Sequence, residues 1–374
     1  MARDTVVIGL GAIGSAALYQ LARRGGRVLG LDRFPTGHDR ASSHGFTRII
    51  RLGYYEHPSY VPLLHETYRL WHALEAESRR RLMTRTGIVE IGAPDGELIR
   101  GTLATSREHG LRHEWLDAAA IMQRFPAYTL PAHFTGVVQP DAAVLEVEPA
   151  VQAMQDLAAA HGAEIRTGER VLSVAPHGSG VRVVTERETI EAGHAVVTAG
   201  PWLAALLEEL DLPLQVTRQA VLWLRPERPA LFEPGRFPIF MLESRLGIHY
   251  GFPYDARFGL KIAKHFHTGE CVDPETYDRT VSAEDEAIVR AAIAEFIPAA
   301  DAPTALAKTC LYTMTPDGHF IVDRHPQAPQ IVIASVCSGH GFKFAPVMGG
   351  ILADLATLGT TAHAIDRFAL ARFR

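Results

Sequence analysis

The pattern of apolar and polar positions near the amino terminus predicts a strand, a helix and a second strand in close succession. Residues 5–8 form a short β-branched apolar run, as expected for a strand that is buried on both faces. A helix rich in alanine and leucine follows to about residue 24, where Gly25 and Gly26 end it. Residues 27–31 are again apolar and predict the second strand of a βαβ unit.

The turn between this first strand and the helix carries a G-x-G-x-x-G pattern. Glycines there let the backbone approach a pyrophosphate, and the start of the helix offers unpaired N–H groups to it. An acidic residue closes the second strand at about the distance at which a ribose-binding carboxylate is expected. The predicted dinucleotide contacts are Gly9, Gly11, Ala12, Ile13, Gly14, Asp32 and Arg33. A glycine-rich turn that serves only helix–strand packing is the alternative, and the pattern does not separate NAD from FAD.

The rest of the chain returns to this dinucleotide-binding layer twice. A β-meander is predicted over 164–200, a strand-rich region with many prolines over 212–264, and a buried strand over 330–335. Helices are predicted over 62–75, 148–162, 283–296 and 345–358. Such revisiting is typical of two-domain FAD oxidoreductases and not of NAD dehydrogenases, in which the binding half is one continuous block.

The predicted fold is therefore α/β, with a Rossmann-type FAD-binding domain and a second, sheet-rich substrate-binding domain of the D-amino-acid-oxidase-like kind. Residues 1–80, 145–210 and 315–374 are assigned to the discontinuous FAD-binding domain. Residues 81–144 and 211–314 are assigned to the substrate and catalytic domain.

Composition excludes several classes of partner. Hydrophobic residues make up 47% and charged residues 21% of the chain, which is ordinary for a globular protein. A net charge of −5 lacks the basic surface that nucleic acid binding requires. Three widely spaced cysteines fit a reducing compartment, and no apolar run is long enough for a signal peptide or a membrane span. We expect a cytoplasmic monomer without a metal site.

Several cationic residues are candidates for chemistry. Arg48 and Arg51 are three apart, so on a helical turn both guanidinium groups would share one face and could hold a carboxylate or an electron-rich ring. Lys343 follows a Gly-His-Gly turn just before a predicted helix, where it would stabilise negative charge. In each case the alternative is a solvated side chain.

A further candidate lies in the predicted strand over 259–265, where Lys261 and His265 would share one face while Lys264 points away. A buried lysine is costly unless a function or a bound anion offsets the cost. The alternative is an edge strand with solvated charges. Cys310, taken alone, is most simply an inert buried thiol.

Taken together, these segments resemble the monomeric sarcosine oxidase and N-methyltryptophan oxidase family of covalent flavoproteins over essentially the whole chain. The resemblance is carried by the glycine turn at 9–14, by S-H-G-F-T-R-I-I-R at 43–51 and by Y-G-F-P at 250–253. It continues through G-L-K at 259–261, the Cys310-x-Tyr312 pair with D-G-H-F-I at 317–321, and S-G-H-G-F-K-F at 338–344.

The resemblance implies roles for individual residues. FAD would be attached through its 8α-methyl carbon to the sulfur of Cys310, and Lys261 would activate O2. Arg51 and Lys343 would bind the substrate carboxylate, and the amine pocket would be formed by Tyr250, His265, Tyr312, Tyr54 and Met241. His44 and Arg48 would lie against the flavin ring and tune its charge. The resemblance thus implies five catalytic residues, Lys261, His265, Tyr250, Arg48 and His44. The remaining implied FAD contacts are Ser43, Ile49, Val171, Gly200, Trp202, Leu311, Gly339, His340 and Gly341.

The implied reaction converts an N-methyl amino acid, water and O2 into the amino acid, formaldehyde and hydrogen peroxide. Residues 240–243 and 311–315 resemble the sarcosine type, whereas Val336 and Cys337 depart from the family pattern and leave substrate choice open. Oxidation of N-methyltryptophan, or of a cyclic imino acid such as pipecolate or proline, is an alternative. Two rivals of another kind are an NAD-linked dehydrogenase and a non-catalytic flavin- or nucleotide-binding sensor.

Overall fold

A computed structural model describes residues 3–373, so the ends of the predicted domain ranges at 1, 2 and 374 lie outside the described residues. The strands are β1 (Arg3–Ile8), β2 (Val28–Asp32), β3 (Thr47–Ile50), β4 (Met83–Arg85), β5 (Ile88–Gly92), β6 (Glu114–Asp117), β7 (Thr135–Gln139), β8 (Ala143–Glu146), β9 (Glu164–Thr167), β10 (Val171–His177), β11 (Gly180–Thr185), β12 (Thr189–Val197), β13 (Gln215–Leu224), β14 (Ile239–Ser244), β15 (Gly247–Gly251), β16 (Leu260–Lys264), β17 (Thr304–Met314), β18 (Ile321–Arg324) and β19 (Ile331–Ser335). The α-helices are α1 (Ala12–Arg23), α2 (Val61–Ser78), α3 (Glu97–Glu108), α4 (Ala118–Arg124), α5 (Val147–Ala160), α6 (Leu203–Leu206), α7 (Ala283–Phe296) and α8 (Ala345–Thr357).

The first sheet contains the predicted βαβ unit. Its strand order is β10-β11-β12-β1-β2-β9, with β19 also paired to β12 and β18 to β19. The central strands of this sheet are parallel, in the order β2, β1, β12 and β19. Their apolar side chains are buried on both faces: on one face they pack against helices, and on the other they belong to a second hydrophobic core. The prediction of a single meander over 164–200 is partly wrong. Strands β10 to β12 do form it, but β9 pairs in parallel with β2.

The second sheet has the order β17-β13-β16-β15-β14-β5-β7-β6 and is antiparallel except where β14 runs parallel to β5. Strand β16 carries Lys261 and lies between β13 and β15. The edge-strand alternative for this segment is therefore wrong, because both neighbours occupy its hydrogen-bonding edges. The predicted α/β architecture with a second sheet-rich layer is confirmed.

A small sheet of β3, β8 and β4 corrects one prediction. Arg48 and Arg51 do not share a helical turn. Residues 47–50 form strand β3, which pairs antiparallel with β8. The physical reason is that Thr47, Ile49 and Ile50 are β-branched and favour extended backbone over helix.

The predicted helices are present with bounds shifted by a few residues. Helix α1 packs between α5 and α8 against the first sheet. Its approach to α8 is close: a Cβ at Gly349 would lie 2.5 Å from the Ala16 carbonyl carbon. Within residues 3–373 no helix is both long and apolar enough to cross a membrane.

Candidate active site

A cavity of about 580 Å³ is lined by residues of both large sheets and by residues of the segment 41–51, which includes strand β3 and is called the β3 segment. Its size is in the range of small-molecule and cofactor sites, about 300–1,000 Å³. Every residue predicted to contact cofactor or substrate lines this cavity except Gly14, Tyr54 and Leu311. The fold therefore brings together segments that lie far apart in the chain.

Two glycines of the turn, Gly9 and Gly14, have no room for a side chain. Gly9 has a φ of +89°, and a Cβ there would lie 2.6 Å from the Thr198 carbonyl oxygen. A Cβ at Gly14 would lie 1.8 Å from the Gly9 carbonyl oxygen. Gly14 thus serves helix–strand packing, whereas Gly11 and Ala12 face the cavity.

The acidic residue that ends β2 also lies where the sequence predicts it. The Asp32 carboxylate accepts hydrogen bonds from the backbone N–H groups of Leu10 (2.7 Å) and Phe34 (2.8 Å). These bonds hold the carboxylate against the glycine turn, and the residue lines the cavity. A carboxylate at this position could accept hydrogen bonds from the ribose of a dinucleotide.

Cys310 is a buried free thiol on β17, in the wall of the cavity. Arg48 Nη2 lies 3.7 Å from its sulfur and donates a 2.7 Å hydrogen bond to the Ser42 carbonyl. Burial raises the pKa of Cys310, while the Arg48 charge opposes that shift. His44 is buried nearby, and burial, reinforced by Arg48, lowers its pKa to about 3, so its ring is neutral.

Lys261 points from β16 toward the β3 segment. Its Nζ donates to the carbonyl oxygens of Gly45 and Thr47, both at 2.8 Å. The ammonium also lies 4.8 Å from the ring centroid of Phe252 and 5.3 Å from that of Trp223. Burial, and then the charge of Arg48, lowers the pKa of Lys261 well below its usual value. This lysine is anchored on one side by carbonyls and aromatic faces.

Arg51 and Lys343 are both buried in the same cavity. Arg51 Nη2 donates to the Glu56 carboxylate at 2.9 and 3.1 Å, and its Nε lies 3.2 Å from Glu90 Oε1. Lys343 Nζ donates to the His340 carbonyl at 2.7 Å. Burial, and then the charge of Arg51, lowers the pKa of Lys343 to about 7.

Tyr54 lies behind these cations and not in the cavity wall. Its ring is 4.6 Å from the Arg51 guanidinium, and its hydroxyl is 2.6 Å from His340 Nδ1 and 3.4 Å from Lys343 Nζ. His340 Nε2 is 3.0 Å from the Gly318 carbonyl, which can only accept, so Nδ1 accepts from Tyr54. Leu311 is likewise buried in β17, and its carbonyl accepts a hydrogen bond from the Ser42 hydroxyl.

An aromatic group, formed by Tyr250, His265 and Tyr312, makes up another part of the wall. The rings of Tyr250 and His265 are 6.3 Å apart edge to face, and those of His265 and Tyr312 are 5.6 Å apart. His265 Nδ1 lies 3.3 Å from the Tyr312 hydroxyl. Burial lowers the pKa of His265 to about 3, so the ring carries no charge. Met241 adds an apolar side chain to the same cavity.

The cavity fits the chemistry of a flavin dinucleotide. Several buried polar atoms in its wall have no hydrogen-bond partner within the described residues, among them both ring nitrogens of His44, Gln219 Oε1 and Ser335 Oγ. Buried polar groups are rarely left unpaired, so these atoms indicate a polar ligand. The glycine turn and the start of α1 could hold a pyrophosphate, and His44 and Arg48 line the part of the cavity in which a flavin ring could bind.

Three polar residues of this region have no counterpart among the residues predicted from the sequence. Glu56 lines the cavity, and Glu90 and Gln139 lie behind Arg51. Glu90 could have been noticed in the sequence, because it interrupts the apolar run I-V-E-I. The other residues of this strand are all buried. Glu56 left none, since a carboxylate in a loop is ordinarily solvated.

Comparison with known proteins places these features among flavin oxidases. The DAO family model, FAD dependent oxidoreductase, matches residues 4–355. A monomeric sarcosine oxidase of Streptomyces avermitilis is 40% identical over 370 residues, covering 98% of this chain and 96% of that protein. An N-methyl-L-tryptophan oxidase of Yersinia pestis is 32% identical over 374 residues, covering 99% of each. The structure of NikD, an unusual amino acid oxidase essential for nikkomycin biosynthesis, aligns with a TM-score of 0.87 at 30% identity and covers 98% of this chain and 97% of its own.

Proposed function

The chain belongs to the DAO family of FAD-dependent oxidoreductases, and from that premise we propose that it oxidises N-methyl α-amino acids. The reaction consumes the N-methyl amino acid, water and O2 and yields the amino acid, formaldehyde and hydrogen peroxide. FAD, when bound, accepts two electrons from the amine and passes them to O2. The glycine pattern does not separate NAD from FAD, and membership of this family identifies FAD as the dinucleotide.

The observation that carries the proposal is a pair of buried cations, Arg51 and Lys343, in a cavity whose wall also contains Cys310. Arg51 Nη1 is buried and has no hydrogen-bond partner among the described residues. A guanidinium edge beside the Lys343 ammonium is the donor set that a carboxylate requires. Charge-assisted hydrogen bonds of this kind contribute about 1.5–3 kcal/mol each. These two side chains would fix the substrate carboxylate and leave the amine free to reach the aromatic group.

The aromatic group supports oxidation of an uncharged amine. His265 is neutral, and burial raises the pKa values of Tyr250 and Tyr312, so none of the three carries a charge near pH 7. A protonated amine would lose its hydration here, and Glu56, a carboxylate in the same cavity wall, is already paired with Arg51. The pocket would therefore favour the neutral amine, the form whose nitrogen lone pair assists loss of hydride from the adjacent carbon.

We assign FAD attachment to Cys310 and O2 activation to Lys261. The Arg48 guanidinium 3.7 Å from the sulfur would stabilise the thiolate form of Cys310, which is the nucleophilic form of a cysteine. Lys261 would place positive charge where O2 is reduced, held there by the Gly45 and Thr47 carbonyls. The other residues predicted against the flavin ring and in the glycine turn would hold the cofactor without acting on the substrate.

Substrate choice is proposed to be of the small, sarcosine type. Met241, Val336 and Cys337 line the cavity and bound the space for a substrate side chain. Relatives named for sarcosine and for N-methyl-L-tryptophan both cover nearly the whole chain. Cyclic imino acids are the third class, since they present the same secondary amine and carboxylate.

A substrate panel tests the proposal. Peroxide production would be measured with sarcosine, N-methyl-L-tryptophan, proline and pipecolate, using N-methylpropylamine as a control that lacks the carboxylate. We expect sarcosine to be oxidised and N-methylpropylamine to be inert at the same concentration. Equal rates with the two amines would refute the role of the cation pair. No peroxide from any amino acid of the panel, with FAD bound, would favour a non-catalytic flavin sensor.

A further inference from the structure

Arg51 lies between two carboxylates whose surroundings differ. Glu56 receives both hydrogen bonds from Nη2, whereas Glu90 faces Nε at 3.2 Å. The guanidinium is further confined by two rings, with Tyr54 at 4.6 Å and Tyr55 at 5.2 Å from its central carbon. The contact between Nε and Glu90 is an ion pair and not a hydrogen bond, because neither Nε nor Glu90 Oε1 has a hydrogen-bond partner within the described part of the chain. Nη1 has no hydrogen-bond partner there either.

Glu90 is the fixed member of the pair. It is fully buried on strand β5, beside Met241 of the neighbouring strand. Gln139 Nε2 donates to Glu90 Oε2 at 2.8 Å, and the Gly53 N–H donates to Gln139 Oε1 at 2.8 Å. A Cβ at Gly53 would lie 2.1 Å from that amide nitrogen, so the glycine makes room for the glutamine. This network ties Glu90 to two backbone segments.

Glu56 is the exchangeable member. It lies in the irregular segment between β3 and α2 and forms part of the cavity wall, whereas Glu90 does not. Among the described residues Arg51 is the side chain that donates hydrogen bonds to it. An anion that enters the cavity meets Glu56 and Arg51 together, because both residues form its wall.

The geometry of a guanidinium group separates these two contacts. Nη1 and Nη2 form one edge, which binds a carboxylate through two parallel hydrogen bonds, while Nε lies outside that edge. We propose that Glu90 is a positioning residue that holds Arg51 by an ion pair at Nε, while the substrate carboxylate binds the unpaired Nη1 and replaces Glu56 on Nη2. The proposal rests on the proposed function, because it assigns Arg51 to a carboxylate.

The two carboxylates should then have opposite effects on anion binding. Without the Glu90 charge, the Arg51 guanidinium would be drawn toward Glu56. Its Nη1 and Nη2 atoms would then turn away from the ligand. Without the Glu56 charge, a competitor for that edge is removed. Simple charge repulsion predicts something different, namely that removing either carboxylate strengthens anion binding.

The test compares Glu90→Gln and Glu56→Gln in the FAD-loaded protein. Acetate is the probe and acetamide its uncharged control, with binding followed by titration calorimetry and by the visible spectrum of the flavin. We expect Glu90→Gln to weaken acetate binding at least tenfold and Glu56→Gln to leave it unchanged or strengthen it. In turnover, Glu90→Gln should raise KM by a similar factor while kcat at saturation changes less than about threefold.

Acetate binding by Glu90→Gln that is equal to or tighter than that of the unaltered protein would overturn the assignment, as would weakening of equal size in both variants. Should Glu90→Gln fail to fold, Gln139→Met takes its place, with a smaller weakening expected and no weakening counting against the proposal. Asp285→Asn is the matched control, since it breaks a buried ion pair with Arg218 that lies outside the cavity. It should lower thermal stability without changing acetate affinity.

The acetate titration also separates this inference from the proposed function. Were no N-methyl amino acid oxidised, the proposed function would fail, while a weakened acetate affinity in Glu90→Gln would still support the positioning role. Sarcosine oxidation together with unchanged acetate affinity in Glu90→Gln would support the proposed function and refute the positioning role.

Discussion

Replacement of Lys343 by methionine separates a binding role of this lysine from a structural one. The two side chains have similar length, and methionine adapts to irregular apolar surroundings. The substitution removes a buried ammonium whose hydrogen bonds go to the His340 carbonyl at 2.7 Å and the Tyr54 hydroxyl at 3.4 Å. If Lys343 stabilises the fold, the substitution should lower stability. If Lys343 binds an anion, the substitution should lower anion affinity.

The expected loss of anion affinity follows from the lost charge. One charge-assisted hydrogen bond contributes about 1.5–3 kcal/mol, and each 1.4 kcal/mol is tenfold, so the Kd for a carboxylate should rise about 10- to 150-fold. The free energy of unfolding should instead increase in Lys343→Met. The pKa of Lys343 lies near 7 because burial disfavours the charged form, so below that pH the folded protein carries a costly buried ammonium.

The pH dependence has a definite sign. Between about pH 7, the folded pKa, and the ordinary lysine value of 10.5, the unfolded chain binds more protons at this site than the folded one. Stability contributed by the group therefore rises with pH through this window and is lost as pH falls toward 7. Lys343→Met should lack this rise. The contribution of Lys343 to carboxylate affinity, taken as the difference between the two proteins, should instead be largest below pH 7 and fall as the ammonium loses its proton.

The assay is a set of acetate titrations and thermal melts of both proteins from about pH 6 to 9, which spans the folded pKa. Glu90 also titrates in this range, because burial raises its pKa to about 7 despite Arg51, so the difference between the two proteins isolates Lys343. Unchanged acetate affinity in Lys343→Met, together with a lower melting temperature at all pH values, would show that the lysine is structural and refute the reasoning.

Other substitutions test the remaining roles. Lys261→Met should slow reoxidation of the reduced flavin by O2 by orders of magnitude in stopped flow while flavin stays attached, and equal reoxidation rates would remove its assigned role. Cys310→Ala should release flavin on acid precipitation, and an intact chain that still carries the mass of FAD would point to another attachment site. Gly14→Ala should destabilise the FAD-binding sheet by several kcal/mol, because its Cβ would lie 1.8 Å from the Gly9 carbonyl oxygen; a melting temperature equal to that of the unaltered protein would contradict this expectation.

The glycine turn and the helices are predictable from sequence because local patterns determine them. Strand β1, helix α1 and strand β2 carry their own start and stop signals, and their bounds differ from prediction by one or two residues. The prediction for strand β9 is wrong because its partner β2 lies far earlier in the chain. No local pattern records which distant strand will pair with a short polar one.

The β3 segment illustrates a different limit. A spacing of three between Arg48 and Arg51 favours a shared face only on a helix, but the intervening β-branched residues and the ladder to β8 decide the backbone. Both arginines still line the cavity, because β3 runs along it and ends at Ile50, just before Arg51. The helical geometry predicted for the two arginines is therefore wrong, whereas the role of both side chains in binding an anion or a ring stays a prediction.

The carboxylates around Arg51 show why charge pairing resists prediction. A sequence identifies an arginine as a ligand for carboxylates, but it does not say whether the protein's own carboxylates already occupy it. Here Glu56 arrives from a loop and Glu90 from a strand of the second sheet, so the pairing exists only once the two sheets enclose the cavity. The distribution of these partners thus leaves Nη1 unpaired and Nη2 bound to Glu56. Anion affinity in this protein should depend on that distribution as strongly as on the arginine itself.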